Sequence, residues 1–346
     1  MQRPSEHRLP FETPIYEMEA RLAEMETQYA KNKAVTDSAA IAEQIRLLRR
    51  ELANLKRTVY ANLEPYQTVL VSRHPQRPQT RDYLELVFDQ FIELHGDRAI
   101  GDDQALVTGL AHLGDQKVMF IGHQKGKNLA ERTACNFGCA HPEGYRKALA
   151  KMRLASKFRL PIITFIDTPG AYPGIAAEER GQAAVIAENL MAMSQINTPI
   201  ICVVIGEGGS GGALGIGIGD RVAMLEHAYY SVISPEGCAT ILWKSNEHWP
   251  KAAAALKMTS KDLLRFQVID EVIAEPLGGA HRDHREAAAR LKTFLARSIR
   301  EISDLPAATL LDRRYHKFRR IGVFVEGDAS LNGQAPSSDS GPSRSA

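Results

Sequence analysis

Eight of the fourteen residues between Gly206 and Gly219 are glycine. They follow Pro199-Ile-Ile-Cys-Val-Val-Ile205, a short β-branched run of the kind that forms a buried strand. Strand, consecutive glycines and then small apolar residues spell strand, tight loop and helix start. Glycine admits a ligand close to the backbone, and the first N–H groups of a helix have no partner inside it. Such a turn can hold an anion or a developing oxyanion. A second instance lies upstream: Pro161-Ile-Ile-Thr-Phe-Ile-Asp167 leads into Thr168-Pro169-Gly170-Ala171-Tyr172-Pro173-Gly174. A helix is expected from about Ala176, with Glu178 and Glu179 in its first turn, where the dipole favours acids. Ala183, Ala187, Leu190, Met191 and Ser194 are expected to form its buried face.

Other chemistries find partial matches. Gly208-Gly209-Ser210-Gly211-Gly212 satisfies the nucleophile-elbow pattern, with Asp270 and His281 following in triad order. A glycine-rich run meets that pattern easily, and no HGGG-type oxyanion segment precedes it. Asp167-Thr168-Pro169-Gly170 resembles a magnesium-binding GTPase segment, but Gly122-His-Gln-Lys-Gly-Lys-Asn128 has the wrong spacing for a phosphate loop. Cys135, Cys139 and His141 fit no common zinc spacing, so free thiols are expected. Cys202 falls in a strand, and Cys238 falls just inside a helix start. The basic segments 73–78 and 123–127 read equally as solvated loops or as contacts to a phosphate-bearing ligand or acidic partner.

The elements that must position these loops divide the chain into three. Residues 1–65 lack glycine and carry two apolar stripes. The first is Ile15, Met18, Leu22, Met25 and Tyr29. The second is Ile41, Ile45, Leu48, Leu52, Leu55 and Val59, spaced as in a coiled-coil seam. Asn32–Ser38 breaks them, which predicts a helical hairpin, and Arg46, Arg49, Arg50, Lys56 and Arg57 fall on its solvated face. Residues 66–325 read as an α/β body. Thr80 is expected to cap a helix with Leu84, Val87, Phe88, Phe91 and Leu94 on its apolar face, ending at Gly96. Strands follow near Ala105–Leu113 and Val118–Gly122, and helices open at Pro142 and Pro235. Residues 326–346 hold too little apolar mass to offset ordering and are expected to be disordered.

Composition is that of an ordinary soluble globular protein. The chain has 346 residues, 44% hydrophobic, with net charge +2 and four cysteines. That charge argues against a nucleic-acid or anionic-membrane partner. Apolar runs are strand-sized and no signal core opens the chain, so a cytoplasmic location is expected.

The motifs Arg73-His-Pro-Gln-Arg-Pro78, Ile121-Gly-His-Gln-Lys-Gly126, Pro142-Glu-Gly-Tyr-Arg-Lys-Ala148, Ile162 to Gly174, Glu178-Glu-Arg-Gly-Gln182, Val204 to Leu214, Tyr230 to Ala239, Ile241-Leu-Trp-Lys-Ser245 and Glu275-Pro-Leu-Gly-Gly-Ala-His281 together resemble the α-subunit family of bacterial acetyl-CoA carboxylase carboxyltransferases. The likeness runs from about Phe11 to Arg320. It implies a crotonase-like α/β fold of stacked ββα units and transfer of a carboxyl group from carboxybiotin to acetyl-CoA, giving malonyl-CoA for fatty acid biosynthesis. Biotin would arrive on a separate biotin carboxyl carrier protein, and ATP would be used by a separate biotin carboxylase. A β subunit carrying the zinc ribbon would complete the site in a heterotetramer of two α and two β chains, leaving no metal on this chain. By position, Gly211 and Gly212 match the glycine pair whose N–H groups hold the biotin carbonyl oxygen. Gly208, Gly209, Ser210, Gly170, Ala171 and Gly174 would line the carboxybiotin pocket. In the family mechanism biotin itself removes the methyl proton, so no protein base is required.

Overall fold

The computed structural model describes residues 7–31 and 38–322. The expected break between the two N-terminal helices and the expected disordered tail fall almost wholly outside that range. Helices α1 (Thr13–Lys31) and α2 (Ser38–Ala61) pack along the predicted stripes. Ile15, Ile45, Leu48 and Leu52 are buried, while Arg46, Arg49, Arg50 and Arg57 face solvent. Lys56 instead turns back to Glu19 at 2.6 Å. The hairpin is anchored to the body by charge. Buried Glu12 receives Tyr60 Oη and Arg282 Nη2 at 2.7 Å each, and Arg282 Nη1 reaches Glu19 at 2.8 Å.

Helices α3 (Pro65–Ser72) and α4 (Thr80–Val87) lead into strands β1 (Gln90–Glu93), β2 (Leu106–Leu113) and β3 (Gln116–His123). The expected helix from Thr80 therefore stops early. Asp89 N–H donates to His112 O at 2.9 Å and Phe91 pairs with Ala111, so Phe91 and Leu94 belong to a sheet edge rather than a helix face. Partners on β2 outweigh the local helical spacing.

Next come α5 (Leu129–Ala134), α6 (Pro142–Phe158), β4 (Ile162–Thr168), α7 (Ile175–Glu179), α8 (Gln182–Gln195), β5 (Ile200–Gly209) and α9 (Ser210–Leu214). Then β6 (Arg221–Leu225), β7 (Tyr229–Ser231), α10 (Pro235–Trp243), α11 (Trp249–Leu256), α12 (Ser260–Arg265), β8 (Glu271–Ile273), α13 (His284–Ile302) and α14 (Ala307–Arg319) complete the described chain. The strands form one sheet in the order β1-β2-β3-β4-β5-β6-β8, with β7 paired to the end of β5. The first three strands are antiparallel and the pairs from β3 onward are parallel. The two Pro-Ile-Ile strands are neighbours, Ile162 opposite Ile200. Both are buried throughout, as continuous β-branched runs require.

The second glycine/proline loop opens two helices rather than one. The chain breaks at Gly181, whose φ of 81° takes a left-handed turn, and resumes as α8. The buried face of α8 is Gln182, Val185, Asn189 and Met193, not the expected stripe: Ala183, Ala187, Met191 and Ser194 are exposed. Polar Asn189 hid the true face. Its amide lies inside the protein, donating to Tyr145 O at 3.1 Å and Gly215 O at 2.9 Å.

Candidate functional site: two glycine loops in backbone contact

Strand β5 runs further than its sequence suggests. It continues through the first glycines to Gly209, because β7 pairs with it there: Glu207 opposite Tyr229, Gly208 opposite Tyr230, Gly209 opposite Ser231. Only then does the chain turn into α9. Ser210 takes the turn with φ of 52°, whereas Gly211 and Gly212 are not among the positive-φ glycines. Their missing side chains serve close approach, not a left-handed backbone. The N–H groups of this first helical turn have no acceptor within α9.

The second loop packs directly on the first. A Cβ on Gly209 would overlap the Pro169 carbonyl, and one on Gly212 would sit 2.5 Å from Ala171 N and Gly170 C. Thr168 Oγ1 closes the loop around Gly170, donating to its carbonyl at 2.7 Å and accepting its N–H at 3.1 Å. Of the residues the sequence nominated, the structure thus brings Gly212 against Gly170 and Ala171, while Gly209 packs on Pro169 just before them. Gly208 backs onto the Tyr230 ring, which a Cβ there would meet at 2.8 Å. Gly174 is set apart: it starts α7 and its open side faces Tyr172. Gly211 is the most open, since a Cβ there would meet only Ile186, at 3.9 Å.

Beside the turn lies an apolar cavity of about 300 Å³, lined by Ser210, Leu214, Tyr230, Val232, Leu263 and Phe318 among others. A second cavity, of about 360 Å³, is walled by Arg73, Lys125, Arg132, Asp167, Pro169 and Glu207. Here the two basic segments resolve. They neither float in solvent nor form a bare basic patch. Arg73 pairs with Glu207 and Glu236 at 2.6 Å each, and Arg77 grips Glu275 at 2.5 and 2.9 Å. Lys125 Nζ lies 2.5 Å from Asp167 and 2.6 Å from Glu207. Burial raises the Glu207 pKa, but Lys125 and then Arg73 outweigh it and hold the carboxylate at about 2. Sequence reasoning missed these partners, and it missed Tyr145, whose hydroxyl donates to Gly212 O at 3.0 Å.

The rival chemistries lose their parts. Ser210 has the positive φ of a nucleophile elbow, yet Asp270 is held by Val222 N–H at 2.7 Å and Lys317 Nζ at 2.5 Å. His281 stacks on His74 at 4.1 Å between ring centroids. No triad assembles. Cys135 and Cys202 are buried free thiols, and burial pushes Cys135 up to about 11. Among the described residues no group of three or more His, Cys, Asp or Glu side chains is placed to hold a metal. No described helix is long and apolar enough to cross a membrane.

A mixed sheet in which the adjacent parallel strands β4 and β5 each end in a glycine turn that opens a helix belongs to a crotonase-like fold. Solved carboxyltransferases share it. A transcarboxylase 12S structure superposes with a TM-score of 0.54 at 20% identity, over 65% of this chain and 41% of that one. A Pseudomonas malonate decarboxylase hetero-tetramer gives 0.53 at 17%, over 67% and 90%. The match closes at family level: residues 8–322 fit the acetyl co-enzyme A carboxylase carboxyltransferase-like family, and the chain belongs to it. The acetyl-coenzyme A carboxylase carboxyl transferase subunit alpha of Rhodopirellula baltica is 62% identical over 315 residues, 90% of this chain and 98% of that protein. Its counterpart in Thermus thermophilus is 50% identical over 318 residues, 92% and 99%. The chain is a carboxyltransferase component of acetyl-CoA carboxylase, the α subunit.

Proposed function

We propose that this chain supplies the biotin side of the carboxyl transfer that makes malonyl-CoA, with Gly211 and Gly212 as its N–H donors. The observation that supports it most is the turn from β5 into α9. Two N–H groups lie in the first turn of a helix, with an open approach at Gly211 and with Gly212 braced by the 168–171 loop. Carboxybiotin, delivered by the carrier protein, would supply the transferable carboxyl group. The donors would stabilise charge on the ureido oxygen that carboxyl loss leaves behind, which is where a fixed dipole lowers a barrier most. Gly212 N–H cannot swing away, because its residue is wedged against Gly170 and Ala171 and tied at its carbonyl by Tyr145. The apolar cavity beside Ser210 offers a wall for the apolar thioether half of the ring system. Gly208, Gly209, Gly170 and Ala171 shape the approach, and Gly174 acts only through the course of the loop.

The same reading assigns acetyl-CoA mainly to a β subunit, in a complex of two α and two β chains, and ATP to a separate biotin carboxylase. The test is co-expression with the candidate β subunit and an assay of malonyl-CoA formed from carboxybiotin. Activity is expected only from the pair. Full transfer by the isolated chain would overturn the shared site.

A further inference from the structure

Strands β4 and β5 end in the two loops of the site, and one ammonium group joins them. Asp167 sits where the β4–β5 register breaks, between Ile166 opposite Val204 and Thr168 opposite Gly208. Its side chain replaces the lost ladder bond: Asp167 Oδ1 accepts Glu207 N–H at 2.9 Å. Gly206 has to be glycine for this, since a Cβ would overlap that carboxylate oxygen. Glu207, on the facing strand, accepts Arg73 Nε at 2.6 Å and Tyr229 Oη at 2.7 Å. Lys125, arriving from the segment after β3, bridges both carboxylates at 2.5 and 2.6 Å. Asp167 directly precedes the 168–171 loop, and Glu207 lies three residues before Ser210. Any change in the spacing of these carboxylates moves one loop against the other.

We infer that Lys125 is a positioning residue for carboxyl transfer, setting the separation of the two glycine loops by holding Asp167 and Glu207 together. The inference rests on the function proposed above. Its physical basis is charge balance. Lys125 is the cation that Asp167 and Glu207 share, Arg73 is divided between Glu207 and Glu236, and the Asp167 and Glu207 side chains are only 7% and 8% exposed. With the ammonium removed, two carboxylates confront each other with little water to screen them, and breaking a buried pair in this way leaves an uncompensated charge. The strand ends separate, and the contacts of Gly209 and Gly212 with Pro169 to Ala171 loosen. Lys125 acts on the two turns through Asp167 and Glu207, the residues that lead into them, so the effect falls on donor geometry.

Four variants test this in the complex with the β subunit. Lys125→Met is expected to lower kcat by ~10- to 100-fold, the scale of a sub-ångström to ångström misplacement, with KM for acetyl-CoA within about twofold of wild type on the same ground. Lys125→Met combined with Asp167→Asn restores the charge balance and keeps an oxygen for Glu207 N–H, so it is expected to recover most of that loss. Asp167→Asn alone and Lys125→Arg complete the set. Hydrogen exchange over 168–174 and 206–214 is expected to quicken in Lys125→Met and to slow again in the double variant. Unchanged kcat in Lys125→Met, or a double variant no better than the single one, overturns the inference. If Lys125→Met fails to assemble, the double variant decides alone: an assembled, active complex supports the inference and a dead one sinks it. If the wild-type pair itself transfers no carboxyl group, the functional reading fails, while the exchange data still decide the role of Lys125.

Discussion

The hydroxyl of Tyr145 donates to the carbonyl of Gly212 at 3.0 Å from beneath the glycine turn. Tyr145 stands in the first turns of α6, fully buried, and burial pushes its phenol far above its usual range, so it stays a neutral donor. Its ring also fills the space that a side chain at Gly215 would need. One residue thus holds the middle of α9 and its C-terminal cap. Tyr145→Phe keeps the ring and strips the donor from a buried carbonyl, a loss of about 1–3 kcal/mol. Denaturant unfolding is expected to show that loss, and turnover is expected to fall more than KM rises. Unchanged stability and turnover together would remove Tyr145 from the site's support.

The glycine pair is predicted to fail in two different ways. Gly211→Ala has room, so the αβ complex is expected to assemble at wild-type stability, and any loss of transfer reports obstruction of the approach. Gly212→Ala meets the backbone of Gly170 and Ala171, so it is expected to lower the melting temperature as well as turnover. Overpacking of this kind typically costs about 1–3 kcal/mol. Ser210→Ala is expected to be mild, because no base is in place to activate the hydroxyl. A dead Ser210→Ala beside an active Gly211→Val would show the oxyanion assignment to be wrong.

Glu275 is a carboxylate buried inside the body. It takes both arms of Arg77 and also accepts the N–H groups of His227 at 2.9 Å and Ala280 at 2.7 Å. Arg77 continues to Ile205 O at 2.8 Å, and so holds β5 a few residues before the glycine turn. Glu275→Ala strands a buried guanidinium, and such losses cost about 3–5 kcal/mol. Equilibrium unfolding of the two proteins measures it. A cost below that of an ordinary surface substitution would mean that water reaches Arg77.

His123 gives the protein an acid sensitivity of calculable sign. It is fully buried with neither ring nitrogen partnered, and burial, then the nearby Lys125 charge, lowers its pKa from 6.5 to about 3. The unfolded chain therefore takes up the proton first. Stability from this group is complete above pH 6.5 and declines as pH falls toward 3, by about 1.4 kcal/mol per pH unit. The pH slope of the unfolding free energy between pH 6 and pH 4 is expected to flatten by about one proton in His123→Gln. An identical slope in both proteins would place the proton elsewhere.

Local physics made much of this protein legible from its sequence. A stripe such as Ile45, Leu48 and Leu52 has only one face to bury, and a run such as Ile162 to Ile166 has only one buried conformation that suits its branching. Proline at Pro142 and Pro235 marked two helix starts, and the glycine run marked the turn that Gly211 and Gly212 occupy. The joint order of the motifs carried the family.

Whatever depended on a distant partner was decided by the tertiary structure. Phe91 has helical spacing but pairs with Ala111, and Asn189 looks like a surface residue but is buried to serve Tyr145 and Gly215. Arg77 and Glu275 stand 198 positions apart in sequence, and Lys125 finds Glu207 across 82. Periodicity cannot encode such meetings, because a charge on a loop has the same spacing whether it ends in water or against a carboxylate. The glycines show the division most sharply. Their sequence says that side chains are excluded, and only packing says by what: Pro169 at Gly209, Gly170 and Ala171 at Gly212, and at Gly211 open space.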